Sequence, residues 1–246
     1  MSRQIDLRHG DYRDVLADVE CDALIVDAPY GARTHRGSDR LNESKGRGSA
    51  DKSMRQPISY TAWSSVHVFD FVNFWAPRTR GWIVSLTSHD LIPAWEGALE
   101  AAGRYVFAPL PFVVPGMSVR HAGDGPSSWT VFVVVARPRS KTFAGWGTLP
   151  GAYIKAAGGS ASHRSPRIGG KDLELMRAIV RDYSRPGDLV CDPCAGGGTT
   201  LAAAALEGRR AVGAEVDADA HAVATQRLFG IEPVESSQIG LLTSPR

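Results

Sequence analysis

Cysteine is scarce: Cys21, Cys191 and Cys194 are the only three in 246 residues. That is too few for a disulfide framework, and nothing in their placement asks for an oxidising compartment. Long apolar runs are also missing. The longest, 131–136, falls far short of the roughly 20 residues that cross a bilayer, and residues 1–14 lack the apolar stretch of a secretory signal. A soluble, cytoplasmic chain without membrane contact is expected. There are no internal repeats, and the net charge of +2 names no partner by itself.

What the total conceals is the distribution. Residues 31–60 carry seven Lys/Arg against three acids, and residues 125–171 carry seven against none, while the rest holds 14 basic and 23 acidic residues. Two basic stretches on an acidic body point to a polyanion docking on one surface. Trp129, Phe143, Trp146 and Tyr153 are interleaved with the second stretch. Arg33, Arg36, Arg40, Arg137, Arg139, Lys141 and Arg164 are the candidate nucleic-acid contacts.

With 43% hydrophobic residues over this length, the chain can bury one large core, and a single domain over 1–246 is expected. Short apolar runs bounded by turn residues predict seven strands, at 5–7, 23–26, 82–86, 105–114, 130–136, 189–191 and 211–214. Helical periodicity is clearest over 173–183, where Leu173, Met176, Ile179, Val180 and Tyr183 share a face, and recurs over 200–207 and 218–228. Alternating strands and helices predict an α/β fold with a mostly parallel sheet. Residues 33–56 are Gly, Ser and charge rich and predict a mobile loop within the basic stretch 31–60.

The segment Asp192-Pro193-Cys194-Ala195-Gly196-Gly197-Gly198-Thr199-Thr200 follows one predicted strand and opens a predicted helix. Its glycines let the chain turn sharply and let a ligand approach without meeting a Cβ. The next strand ends in Glu215, placed to take the ribose hydroxyls of an adenosine-containing cofactor. ATP is disfavoured because Gly198, not a lysine, precedes Thr199. A dinucleotide is disfavoured because too little chain follows to build a substrate region, and because Asp192 would repel a pyrophosphate but suits the ammonium of a methionine. S-adenosyl-L-methionine is favoured. The Cys191/Cys194 spacing has no second pair with which to make a metal site, and no metal is expected.

Upstream, the strand 23–26 runs into Asp27-Ala28-Pro29-Tyr30 immediately before the first basic stretch. With the glycine turn and Glu215, this arrangement resembles the amino-methylating DNA methyltransferases in their permuted β-class order, across nearly the whole chain. Asp27 to Tyr30 is similar to the family's Asp-Pro-Pro-Tyr, with Ala28 in place of the first proline. Gly10-Asp11 is similar to a cofactor-contacting segment, and Lys171-Asp172 stands where the family has Lys-Pro near the methionine end.

The resemblance implies a Rossmann-like S-adenosylmethionine-dependent methyltransferase fold, a seven-stranded sheet with one antiparallel strand, and a small target-recognition region at about 137–167. It implies cofactor contacts at Asp11, Lys171, Asp192, Pro193, Cys194, Ala195, Gly196, Gly198, Thr199, Glu215 and Val216. It implies catalysis by Asp27, Ala28, Pro29 and Tyr30 on a base flipped out of DNA. The absence of a Cys-Pro pair argues against cytosine-C5 methylation, which needs a thiolate. Asp27 favours adenine N6 as the target; cytosine N4, an RNA amino group or a non-catalytic nucleic-acid-binding subunit are the alternatives. Either a monomer or a homodimer is compatible with the sequence.

Overall fold

The computed structural model describes residues 4–34, 61–115, 129–140, 146–155 and 170–231. The strands among them are β1 (Ile5–His9), β2 (Ala23–Asp27), β3 (Ile83–Thr87), β4 (Tyr105–Val106), β5 (Leu110–Val113), β6 (Thr130–Arg137), β7 (Tyr153–Ile154), β8 (Leu189–Asp192) and β9 (Arg210–Glu215). The helices are α1 (Tyr12–Val15), α2 (Ser65–Trp75), α3 (Ile92–Ala101), α4 (Leu173–Tyr183), α5 (Thr199–Leu206) and α6 (Ala218–Phe229).

All nine strands join one sheet in the order β1-β9-β8-β2-β3-β6-β5-β7, with β4 also on β6. β6 is antiparallel to β3, β4 and β5, and every other pairing is parallel. The single reversed strand is therefore as expected. The strand count is not: the run expected over 105–114 breaks into β4 and β5. Pro109, which has no N–H, lies in the gap, although Phe107 N still donates to the Val135 carbonyl at 3.0 Å. The two-residue β7 is additional.

Alternation along β2 separates two cores. Ala23 and Ile25 pack on one face with Met176, Ile179 and Leu201, while Leu24 and Val26 pack on the other with Val68, Phe71, Trp75 and Trp95. On the first face α5 contributes the fully buried run Ala202–Ala205, whose small side chains let it lie close to both α4 and the sheet. On the second, Val68, Phe71, Val72 and Trp75 form the buried stripe of α2. The connection β8–α5–β9 leads outward over one face and β2–α2–β3 outward over the other. The connectivity thus switches between β8 and β2, where open α/β sheets form a crevice beyond the carboxyl ends of their strands.

Candidate functional site

Parallel pairing brings the carboxyl ends of β2, β8 and β9 to one edge, so Asp27, Asp192 and Glu215 converge there from neighbouring strands. Beyond Asp192 the chain turns through Gly198, whose φ of 72° is left-handed and caps α5. A Cβ at Gly198 would come within 3.2 Å of Leu228, so both conformation and packing select glycine. Glu215 organises the turn: Oε2 accepts from Gly196 N at 2.7 Å and Oε1 from Asp217 N at 2.8 Å. Its backbone carbonyl accepts from Gly10 N at 3.0 Å, and Ala195 N donates to the Ala214 carbonyl at 2.9 Å. Each carboxylate oxygen retains capacity for a further donor.

Asp192 is buried at the crevice floor, with Oδ1 accepting from Cys194 N at 3.1 Å. Burial pushes its carboxyl pKa up to about 7, helped by repulsion from Asp27 and Glu215 and opposed by hydrogen bonds from Thr200 and Cys194. A buried acid in this field favours a cation beside it. Burial also pushes the Cys194 and Cys191 thiols well above the ordinary range, the reverse of what a thiolate nucleophile needs. Among the described residues no group of three or more His, Cys, Asp or Glu is placed to hold a metal.

At the end of β2, Asp27 Oδ2 meets Lys171 Nζ at 2.7 Å, and Oδ1 accepts from the Tyr30 hydroxyl at 3.1 Å. Lys171 lies 4.9 Å from the Tyr30 ring centroid. Ala28, in the place of a proline, is buried. The turn is held instead at Gly31, where a Cβ would come within 2.3 Å of Asp90 Oδ2 and whose N–H donates to Ser88 Oγ at 3.2 Å. Trp63 N donates to the Tyr30 carbonyl at 3.0 Å, and Gly31 and Trp63 form a parallel bridge. Both flanks of residues 35–60 are thereby fastened beside Tyr30. Those residues, with Arg36 and Arg40, lie outside the described residues, as do Phe143, Lys141, Arg164 and most of the segment expected to recognise the target.

Several predicted residues take unexpected places. Lys171 contacts the candidate catalytic carboxylate, where the sequence had suggested the methionine end of a cofactor. Asp172, where the resemblance implied a proline, caps α4 by accepting from Leu175 N at 3.2 Å and pairs with Lys155 at 2.5 Å, so the helix start is secured by other means. Asp11 caps α1 through Arg13 N and pairs with the Arg13 guanidinium at 2.6 Å, which holds its carboxyl below the usual range.

Val216 is exposed at the rim, Pro193 sits between Asp192 and Cys194 in the turn, and Arg33 is exposed beyond Gly31. Arg137 and Arg139 are not brought to the crevice. Because β6 runs backwards, Ala136 is opposite Ile83, and the two guanidinium groups lie over Tyr105 at the far end of the sheet. Trp146 and Tyr153 fasten their segment to α4, donating to the Asp182 carbonyl and carboxylate at 2.7 Å each. They are structural anchors.

Sequence reasoning passed over Arg227, which reaches from α6 to the Gly197 carbonyl at 2.9 Å and to Thr199 Oγ1 at 2.8 Å. No local pattern marks it, since it lies 30 residues from the turn it touches. The Tyr30 hydroxyl bond to Asp27 was equally invisible in the four-residue motif.

Residues 160–226 match the family model described as DNA methylase, of the N6/N4 type. Among solved structures the chain is similar to M1.HpyAVI, crystallised with SAM, at 21% identity, covering 91% of this chain and 98% of that one with a TM-score of 0.65. It is similar to TTHA0409 of Thermus thermophilus, solved with S-adenosyl-L-methionine, at 19% identity, 94% and 96% coverage and a TM-score of 0.55. The cytosine-N4-specific PvuII DNA methyltransferase matches at 12% identity, 97% and 93% coverage and a TM-score of 0.58. The chain shares the fold of these solved structures. The residues that the DNA methylase model matches include Lys171, the glycine turn and Glu215. No helix among the described residues is long and apolar enough to cross a membrane.

Proposed function

We propose that this chain transfers a methyl group from S-adenosyl-L-methionine to an exocyclic amino group of a DNA base, adenine N6 foremost. The observation that carries the reading is the convergence of the Asp27–Tyr30 turn with the Asp192/Glu215 turn across the β8–β2 switch point. The residues present fit the cofactor: Glu215 has acceptor capacity for ribose hydroxyls, and buried Asp192, under repulsion from two other carboxylates, suits a cationic methionine moiety. When bound, the cofactor supplies an electrophilic methyl on a sulfonium.

The chain's own residues supply the rest. Extruding a base costs a few kcal/mol, and stacking on Tyr30 returns about 1 to 3 kcal/mol of it. Asp27 and the Ala28 carbonyl accept hydrogen bonds from the amino group and so aim its lone pair at the methyl. The nitrogen gains the methyl as the carbon–sulfur bond breaks, S-adenosyl-L-homocysteine is the coproduct, and the amine's proton is released to water. No thiolate takes part, consistent with the raised pKa of Cys194. Cytosine N4 is the second reading, favoured by the similarity to the cytosine-N4-specific enzyme. The test is transfer of radiolabelled methyl by the purified chain to DNA from methylation-deficient cells. Label in DNA supports the reading, and absence of label with cofactor bound would point to a non-catalytic nucleic-acid-binding subunit.

A further inference from the structure

We propose that Lys171 is a positioning residue for Asp27, fixing the carboxylate that receives the target amino group; this rests on the methyltransferase reading above. The geometry is specific. Lys171 Nζ holds Asp27 Oδ2 at 2.7 Å across 144 residues of sequence, and its side chain is only 7% exposed. Its backbone is mounted on a secured helix start, because the adjoining Asp172 caps α4 and is itself paired with Lys155. The same ammonium lies 4.9 Å from the Tyr30 ring centroid, within the range of a cation–π attraction. Lys171 therefore ties the hydrogen-bond acceptor and the stacking face of the site into one unit.

A carboxylate at the end of a strand can rotate about its side-chain bonds, and in this crevice Asp27 and Asp192 repel each other. An ammonium on Oδ2 opposes that rotation and leaves Oδ1 facing Tyr30, whose hydroxyl it accepts at 3.1 Å. The target amine then takes Oδ1 in place of the tyrosine hydroxyl while Oδ2 stays with Lys171. A lysine moved wholly to the cofactor's carboxylate would leave Asp27 Oδ2 without this ammonium.

The experiment compares wild type, Lys171→Met, Lys171→Arg, Asp27→Asn and the double variant Asp27→Asn/Lys171→Met. Turnover is measured on methylation-deficient DNA at saturating cofactor, cofactor Kd by calorimetry and Tm by thermal melting. Lys171→Met is expected to lower kcat about 100-fold, the scale of a small misplacement of a reacting group, while cofactor Kd stays at the wild-type value. Lys171→Arg recovers most of the turnover. The double variant turns over no more slowly than Asp27→Asn, because Lys171 acts through Asp27. Wild-type kcat in Lys171→Met combined with weakened cofactor binding would overturn the proposal and return Lys171 to the cofactor.

The melting series needs no activity. Losses in Tm from the two single substitutions are expected to exceed that of the double variant in sum, the signature of a coupled pair. Simple additivity would overturn the pairing. A wild-type chain without methyl transfer would overturn the methyltransferase reading alone, and the melting series would still decide whether the pair exists.

Discussion

Arg227 donates from Nη1 to the carbonyl oxygen of Gly197 at 2.9 Å and to the hydroxyl of Thr199 at 2.8 Å, so α6 braces the glycine turn from behind. Its guanidinium is buried enough that desolvation lowers its pKa. Replacing Arg227 with Met leaves the Gly197 carbonyl without this donor and is expected to cost about 1.5 to 3 kcal/mol, the scale of a hydrogen bond to a charged group. Both denaturant stability and S-adenosyl-L-methionine affinity should fall. Lower stability with unchanged affinity would show that the turn keeps its binding shape without this brace.

Arg227 also shows where sequence reading stops. The apolar runs that became β1, β2, β3, β6, β8 and β9 were legible because each is short, β-branched and bounded by turn residues, and α4 because its buried stripe repeats at helical spacing. The helix α2 is not legible in the sequence, since Val66, Val68, Phe69, Phe71, Val72 and Phe74 have poor intrinsic helix propensity. Burial of one stripe against the sheet overrides that propensity. The strand β7 is two residues in a Gly- and Ala-rich stretch and gives no period to detect. In the site, Asp27, Asp192 and Glu215 could be read from their places at strand ends, but the partner of Lys171 could not, because nothing local tells a side chain which acid it meets 144 residues away.

Glu215 offers a second test. Its carboxylate accepts from Gly196 N and Asp217 N, so Glu215→Ala removes both the proposed ribose acceptor and a link between the two sides of the turn. Cofactor affinity is expected to weaken by about 1 to 3 kcal/mol, read by calorimetry. An unchanged Kd would remove Glu215 from the cofactor site.

Asp192 makes the site pH dependent. Its folded pKa of about 7 lies above the ordinary 3.8, so between those values the folded chain keeps a proton that the unfolded chain has released. The group's contribution to stability is therefore fully present below the lower value and is lost as pH rises through the upper one. A cation bound beside Asp192 favours the carboxylate, so binding of S-adenosyl-L-methionine at about pH 6 should release a proton and tighten towards about pH 8. Calorimetry in two buffers of different ionisation enthalpy counts that proton. Asp192→Asn should weaken binding and flatten its pH dependence, and proton-free binding by the wild type would contradict the assignment.

The Asp27–Tyr30 turn should separate chemistry from cofactor binding. Asp27→Ala is expected to abolish nearly all turnover while cofactor Kd holds, since the carboxylate acts on the amine. Tyr30→Ala should lose about 1 to 3 kcal/mol of base stacking. Tyr30→Phe should be mild, because the ring does the stacking and the target amine displaces the hydroxyl from Asp27 Oδ1. Full turnover in Asp27→Ala would remove this turn from the reaction.

The most direct test of the whole account is mass spectrometry of nucleosides digested from DNA that the purified chain has treated with S-adenosyl-L-methionine. The account predicts N6-methyladenine, absent when Asp27→Ala is used. N4-methylcytosine alone would contradict the adenine assignment, and 5-methylcytosine would contradict the amino-transfer chemistry itself.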